Sequence, residues 1–409
     1  MALKQGDLKK DYVFNTLGVS INAFLSLFLL IVVARVNGIT DTGVFSFCYA
    51  YATVFFTIGY YGGRIYQVSD TGGQNTNAAY LLQKFITCTI MLALAGGFVL
   101  INGYDAGKAA VLLVLVLFKY CEAVSDVLYG AMQRSGKLYL SGISLTMKGL
   151  LAIIVFLAID VRTGDMVKAS LGIFAVNLLV MACYDLPNFK RYREKQAPKP
   201  LREELANAWG LMGKTVYVFL LSFFGQMLVN IPRYVVDIYH EEMQGYFGIV
   251  IMPASAVALF GIFVLQPQVV PLTQRLERGD KEGFRRDVRR LVGISVIFGL
   301  VATAAAYALG APVLTLIYDV DMSSYRLDIA IIVLGGTVNV VVMLLSNVLV
   351  IMRKFAVQMF LFGGALALNA VLCYALVIPY VVLGGALVYL IVNVLQGAGY
   401  LFAYRSISR

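Results

Sequence analysis

Charge is what this chain has least of. Only 14% of its 409 residues are Asp, Glu, Lys or Arg, while 60% are hydrophobic and the mean hydropathy is +0.80. An average soluble domain carries about 25% charged residues. No polar stretch is long enough to form a sizeable soluble domain, so the chain's solvent is a bilayer. Histidine is nearly absent: the single one, His240, sits among polar residues and reads as a loop residue rather than a metal ligand. Cysteine is sparse and odd in number. Cys48, Cys88, Cys121, Cys183 and Cys373 all fall in apolar runs without metal-ligand spacing, which excludes full internal pairing and leaves small buried side chains. There is no Walker motif, so the chain itself does not drive transport with a nucleotide. No motif calls for a cofactor, a metal or a catalytic group.

What is present is long apolar runs bounded by charge, glycine or proline. Twelve such segments are read, over 12–34, 42–62, 81–101, 109–131, 140–160 and 166–186, then 209–231, 245–272, 291–318, 327–351, 356–378 and 381–404. The expected architecture is all-α and polytopic, with a six-helix lobe over 1–188, a cytoplasmic linker over 189–208 and a second six-helix lobe over 209–409. The linker's core, FKRYREKQAPKPLREE, has two prolines and no apolar periodicity. The basic, then apolar N-terminus lacks a clear cleavage site and reads as a retained first helix.

The net charge of +10 does not indicate nucleic acid, because the basic residues occupy short gaps between segments. Placing the N-terminus in the cytoplasm puts Lys4, Lys9, Lys10, Arg134 and Lys137 there. The six basic residues from Lys190 to Arg202, the seven from Arg275 to Arg290, and Arg353, Lys354, Arg405 and Arg409 fall on the same side. The opposite loops hold only Arg35, Lys108, Arg162, Lys168, Arg233 and Arg326. This alternation obeys the positive-inside rule, with both termini cytoplasmic. Six crossings per half make any internal repeat a parallel one. Each half's second helix opens on a glycine–aromatic step, Gly43-Val44-Phe45 and Gly245-Tyr246-Phe247.

Ionisable groups inside membrane segments are costly and mark functional candidates. KYCEAVSD in the fourth segment carries Lys119, Glu122 and Asp126 at helical spacing, so Lys119 faces Glu122 and Asp126 needs another partner, for which Lys148 is the candidate. A structural lock and a coupling switch both fit this group. In the seventh segment Gln226, Asn230, Arg233 and Asp237 share one face, and Pro232 is expected to break the helix among them. Pro253, Pro267 and Pro271 are expected to bend the eighth. Arg35 and Arg64 lie near segment ends, where a long side chain can also snorkel to the headgroups. The second segment is dense in rings: Phe45, Phe47, Tyr49, Tyr51, Phe55, Phe56, Tyr60 and Tyr61. Rings with arginines suit an anionic, sugar-bearing ligand.

ARVNGITDTGVFSFCYAYATVFFTIGYYGGRIYQVSD resembles the opening of bacterial polysaccharide flippases, the Wzx-type branch of the multidrug/oligosaccharidyl-lipid/polysaccharide exporter superfamily. Arg35 ends the first helix, Gly43 and an aromatic open the second, Arg64 closes it and Asp70 follows. VNIPRYVVDIYHEEMQGYFGIVIMPA is similar to the family's junction between seventh and eighth segments, and QRLERGDKEGFRRDVRR to its basic loop. The resemblance implies two six-helix lobes around a central cavity and alternating access. The substrate it implies is an undecaprenyl-diphosphate-linked oligosaccharide, such as an O-antigen, capsule or teichoic-acid precursor, carried across the bacterial cytoplasmic membrane. Arg35, Arg64 and Arg233 would meet the diphosphate, with Asn230, Gln226 and Tyr60 beside them. Lys119, Glu122, Asp126, Lys148 and Asp237 would couple or gate. It further implies a monomeric, non-enzymatic transport unit with a polysaccharide polymerase and chain-length regulators as membrane neighbours. Two departures stand out: no two extra helices follow the twelfth segment, unlike the peptidoglycan-precursor flippases, and Pro232 stands where many relatives have an acid. A proton- or sodium-coupled exporter of organic cations is the alternative, kept by Glu122 and Asp126.

Overall fold

The structure, a computed structural model, describes residues 5–70, 75–193, 199–265, 268–352 and 354–408. Lys4, Lys195, Pro267, Arg353 and Arg409, used in the sequence reading, lie outside the described residues. Every regular element among them is helical. In chain order these are α1 (Gln5–Asn37), α2 (Ile39–Tyr60), α3 (Gly63–Ser69), α4 (Asn77–Asn102), α5 (Ala106–Arg134), α6 (Leu138–Thr163), α7 (Met166–Val180), α8 (Leu186–Tyr192) and α9 (Leu201–Tyr239). There follow α10 (Gln244–Val250), α11 (Met252–Leu265), α12 (Val269–Glu277), α13 (Lys281–Ala305), α14 (Ala311–Tyr318), α15 (Arg326–Ile351), α16 (Phe355–Leu372) and α17 (Ile378–Ser408).

Starts and stops follow local chemistry. Thr76, Asp105, Asp165 and Asp280 accept hydrogen bonds from the first free backbone N–H groups of α4, α5, α7 and α13. Three prolines shape helices further in. Pro187, Pro312 and Pro379 each stand two residues beyond a five-residue π turn, at Met181–Asp185, Ala306–Gly310 and Cys373–Val377. A proline ring collides with the carbonyl four residues back. Those carbonyls belong to Cys183, Ala308 and Ala375, all inside the π turns, where the wider winding makes room. Pro232 does the opposite of what its sequence context predicts, because α9 runs through it without interruption.

Ten helices or helix runs among the described residues are long and apolar enough to cross a membrane, so the chain is an all-α, multi-pass membrane protein. Twelve segments were expected, and two features make the difference. Lys108 near the start of α5, together with Lys119, Glu122 and Asp126 in its middle, leaves it without an apolar stretch of sufficient length. The run Ala356–Ser406 counts once at 51 residues although Val381, at φ 47 and ψ −108, interrupts its helical geometry.

The chain divides into two compact units. One comprises residues up to 37 and 44–226, the other 38–43 and 227–409. In the first, α6 packs along α1 at near backbone contact: a Cβ on Gly142 would lie 2.3 Å from the Phe14 carbonyl oxygen. In the second, the two glycine–aromatic steps meet. A Cβ on Gly43 would come within 2.8 Å of the Gly245 nitrogen, and one on Gly245 within 2.3 Å of the Ile39 carbonyl oxygen. Because the obstacle is backbone, Gly245→Ala is expected to cost about 1–3 kcal/mol. A thermal unfolding scan in detergent reads this as a lowered Tm, and an unchanged Tm would show that the two steps part freely.

Candidate functional site

The first unit buries a charged cluster where α3, α4, α5 and the π turn after α7 meet. It starts from a sharp bend. Tyr61 (φ 47) and Gly62 (φ 66) are both left-handed and separate α2 from α3. Gly62 tolerates that backbone and also fits a tight space, since a Cβ there would lie 2.7 Å from Val218 Cγ1. Tyr61 pays for its strain by stacking on Phe219, with ring centroids 4.4 Å apart and planes 8° from parallel. The bend turns Arg64 onto α5. Its Nη1 lies 3.3 Å from Asp126 Oδ1, its Nε and Nη2 donate to Gln133 Oε1 at 3.3 and 3.0 Å, and the guanidinium sits 5.8 Å from the Tyr129 ring centroid. The Arg64 side chain keeps 21% of its surface open, the most accessible cation of the cluster's ion pairs.

Two lysine–carboxylate pairs lie deeper. Lys119 Nζ is 2.7 Å from Glu122 Oε2, as their spacing predicts, and rests over the rings of Tyr49, Phe56 and Phe118. Lys148 does not serve Asp126. It lies 2.6 Å from Asp185 Oδ2 and donates to Ser125 Oγ at 2.5 Å and to Tyr129 Oη at 3.2 Å. The π turn ends at Asp185 and Pro187 shapes it, so the proline helps fix which carboxylate reaches Lys148. Asp126 belongs instead to Arg64, and its Oδ2 is buried without a hydrogen-bond partner among the described residues.

Lys84 on α4 was not singled out from the sequence, although it lies inside a segment read as spanning the membrane. It is 1% exposed, donates to the Tyr60 carbonyl at 2.5 Å and stands 5.3 Å from the centroid of that ring. Lys84 and Arg64 both act electrostatically on Asp126. The cluster therefore sets four cations (Arg64, Lys84, Lys119, Lys148) against three carboxylates (Glu122, Asp126, Asp185), a formal surplus of one positive charge.

The remaining candidates lie elsewhere. Arg35 is exposed at the end of α1, and Arg64 follows the end of α2. The 22 residues of α2 span about 33 Å at 1.5 Å each. One diphosphate therefore cannot meet both arginines at once, contrary to the grouping expected from the sequence. Asn230, Arg233 and Asp237 are all buried in the second unit, 4–6% exposed, and Gln226 is half-buried. The rings of α2 sort onto two faces. Phe45, Phe47, Tyr51 and Phe55 are core, with Tyr51 stacked on Phe98 at 5.1 Å. Tyr49, Phe56 and Tyr60 are half-buried on the face that meets Lys119 and Lys84. His240 Nε2 bonds the Ile378 carbonyl at 2.8 Å, and no group of three metal-ligating side chains occurs among the described residues.

No protein-family model matches the chain. It is 21% identical over 392 residues to the capsular polysaccharide biosynthesis protein CapF of Staphylococcus aureus, covering 95% of this chain and 96% of the relative. Among solved structures, it superposes on the lipid II flippase MurJ in an inward closed conformation with a TM-score of 0.73 at 14% identity, over 96% of this chain and 87% of that one. An inward-facing multidrug resistance MATE family transporter of the MOP superfamily gives a TM-score of 0.67 at 14% identity, over 96% and 98%. A bilayer-spanning all-helical chain that matches both transporters over nearly its whole length has the fold of the MOP superfamily.

Proposed function

We propose that this chain carries an anionic lipid-linked saccharide, an undecaprenyl-diphosphate oligosaccharide, from one leaflet of the bacterial cytoplasmic membrane to the other by alternating access. The observation that carries this reading is the charge surplus around Arg64 and Lys84 in the first unit. Cations outnumbering acids inside a membrane protein stabilise an anion. A guanidinium offers a phosphate two parallel donors, which an ammonium cannot. The staphylococcal relative's part in capsular polysaccharide biosynthesis supports the same chemistry.

A working cycle follows from the pairings. An arriving phosphate displaces Asp126 from Arg64, and Asp126 turns toward Lys84, its other electrostatic partner. Release on the far side restores the Arg64–Asp126 pair. An inside-negative potential aids outward passage of the diphosphate by about 2.3 kcal/mol per elementary charge per 100 mV. Twelve crossings with both termini cytoplasmic complete the proposal: α5 spans despite its charges, and the 51-residue run, about 76 Å as one helix, is too long for a single pass and crosses twice at Val381. A polymerase and chain-length regulators are the neighbours such a carrier would serve.

Export of an organic cation is the second reading. It draws on the shared fold with MATE transporters and on the unpartnered carboxylate oxygens of Asp126 and Asp185. A thermal-shift titration of purified protein separates the two. Undecaprenyl diphosphate is expected to raise the Tm and ethidium to leave it unchanged. Stabilisation by ethidium alone favours the exporter.

A further inference from the structure

The second unit carries a groove between α13, α15 and α17, with a cavity volume of 340 Å³. Val292, Val296 and Leu300 form one wall and Val394, Ala398 and Leu401 the other, with α15 as the floor. Thr337 is the one hydroxyl in the lining, and it donates to its own helix at the Val333 carbonyl, 3.0 Å away. The groove therefore presents no unsatisfied polar group to an occupant and accepts hydrocarbon.

Its two walls continue into charge at the same end. On α13, Arg285 and Arg289 precede Val292 and Val296 in steps of four, three and four residues, which keeps all four on one helical face. On α17, Val394, Ala398, Leu401 and Arg405 repeat the pattern in steps of four, three and four. Phe284, Val288 and Leu291 of α13 share one buried apolar cluster with Tyr400 and Tyr404 of α17, which brings the end of α17 beside the start of α13. Tyr404 is 7% exposed and its Oη has no hydrogen-bond partner among the described residues. Of the acids nearby, Asp280 and Asp287 pair with Arg275 at 2.9 and 2.7 Å, while Glu282, one turn before Arg285, is exposed and forms no ion pair with it among the described residues. Arg285, Arg289 and Arg405 have no ion-pairing carboxylate among the described residues.

We infer that this groove is a binding site for one anionic glycerophospholipid, its acyl chain between α13 and α17 and its phosphate on Arg285, Arg289 and Arg405. An apolar channel whose two walls both end in unpaired arginines matches such a lipid in polarity along its length. Basic pockets between membrane helices bind anionic headgroups for this reason. The site lies wholly in the second unit and uses none of the groups assigned to substrate in the first.

Native mass spectrometry of the full chain tests this, after exchange into detergent with a controlled mixture of phosphatidylglycerol and phosphatidylcholine. One retained phosphatidylglycerol is expected. Arg285→Gln, Arg289→Gln and Arg405→Gln each weaken its retention roughly fivefold, and the three together about a hundredfold. Ala398→Trp fills the groove from an exposed position and is expected to abolish retention with all the arginines in place. Arg286→Gln/Arg290→Gln, which removes charge from the same turns of α13 but off the groove face, is the control and keeps the lipid. Equal retention of phosphatidylcholine, loss in the control equal to that in the triple variant, or retention by Ala398→Trp would each overturn the site. Displacement of phosphatidylglycerol by undecaprenyl phosphate at equal concentration would reassign the groove to the isoprenoid chain and overturn the inference too.

Discussion

Asp185→Asn is expected to destabilise the protein by about 3–5 kcal/mol, the cost of breaking one side of a buried ion pair. The Asp185 side chain is fully buried and that of Lys148 is 6% exposed. Ser125 and Tyr129 give Lys148 oxygen contacts but no negative charge. An asparagine keeps the shape and removes the charge, so the ammonium is left in an apolar interior. Lys148→Met strands the carboxylate in the same way, and its Oδ1 already lacks a hydrogen-bond partner among the described residues. The double variant Lys148→Met/Asp185→Leu removes both charges, and well-packed apolar replacements of buried pairs are often neutral. Thermal unfolding of the three variants in one detergent checks this. Both single variants should fall well below wild type and the double variant should recover most of the loss. Equal losses in all three would show that packing at the π turn, not charge pairing, is what the site needs.

The second large effect concerns transport. Arg64→Ala is expected to slow leaflet transfer of the lipid-linked diphosphate roughly a hundredfold, about 3 kcal/mol at 1.36 kcal/mol per tenfold. Two consequences combine in that number. The phosphate loses its forked donor, and Asp126 loses its partner at 3.3 Å. Arg64→Ala/Asp126→Ala separates them, because it removes the stranded acid without restoring the donor. Stability should return in the double variant and transfer should not. Arg64→Lys keeps the charge, but one ammonium cannot span Asp126 and Gln133 as the guanidinium does, so an intermediate rate is expected. Lys84→Met tests the exchange of Asp126 between cations. Lys84 is 1% exposed and makes no direct contact with substrate, but its loss erases the cluster's surplus of positive charge, so slower turnover and weaker binding of the diphosphate are both expected.

Much of this was legible in the sequence where a single helix decides the outcome. Low charge and long apolar runs announced a membrane protein, and the spacing of Lys119 and Glu122 announced their pairing. What failed was the choice between helices. Nothing in the spacing of Lys148 says whether Asp126 or Asp185 stands opposite. That depends on the register of α6 against α5 and α7, and on a π turn set by Pro187. The prolines were readable in principle, since Pro187, Pro312 and Pro379 force the same local widening. Pro232 shows the limit, as its helix continues unbroken. The grouping of Arg35 with Arg64 overlooked the length of α2, which a count of residues supplies. Lys84, inside the segment read over 81–101, satisfies the same rule that marks Lys119. The charges that make α5 chemically informative also hide it from any measure of apolar span.

The role proposed for the cluster around Arg64 is to serve an anionic lipid-linked substrate. It is tested most directly by reconstituting the protein in liposomes and following a fluorescent undecaprenyl-diphosphate oligosaccharide between leaflets, with wild type, Arg64→Ala and Lys84→Met at matched insertion. Rapid transfer by wild type, roughly hundredfold slower transfer by Arg64→Ala and slowed transfer by Lys84→Met are expected. Wild-type liposomes that leave the diphosphate lipid in place but export an organic cation would contradict that role.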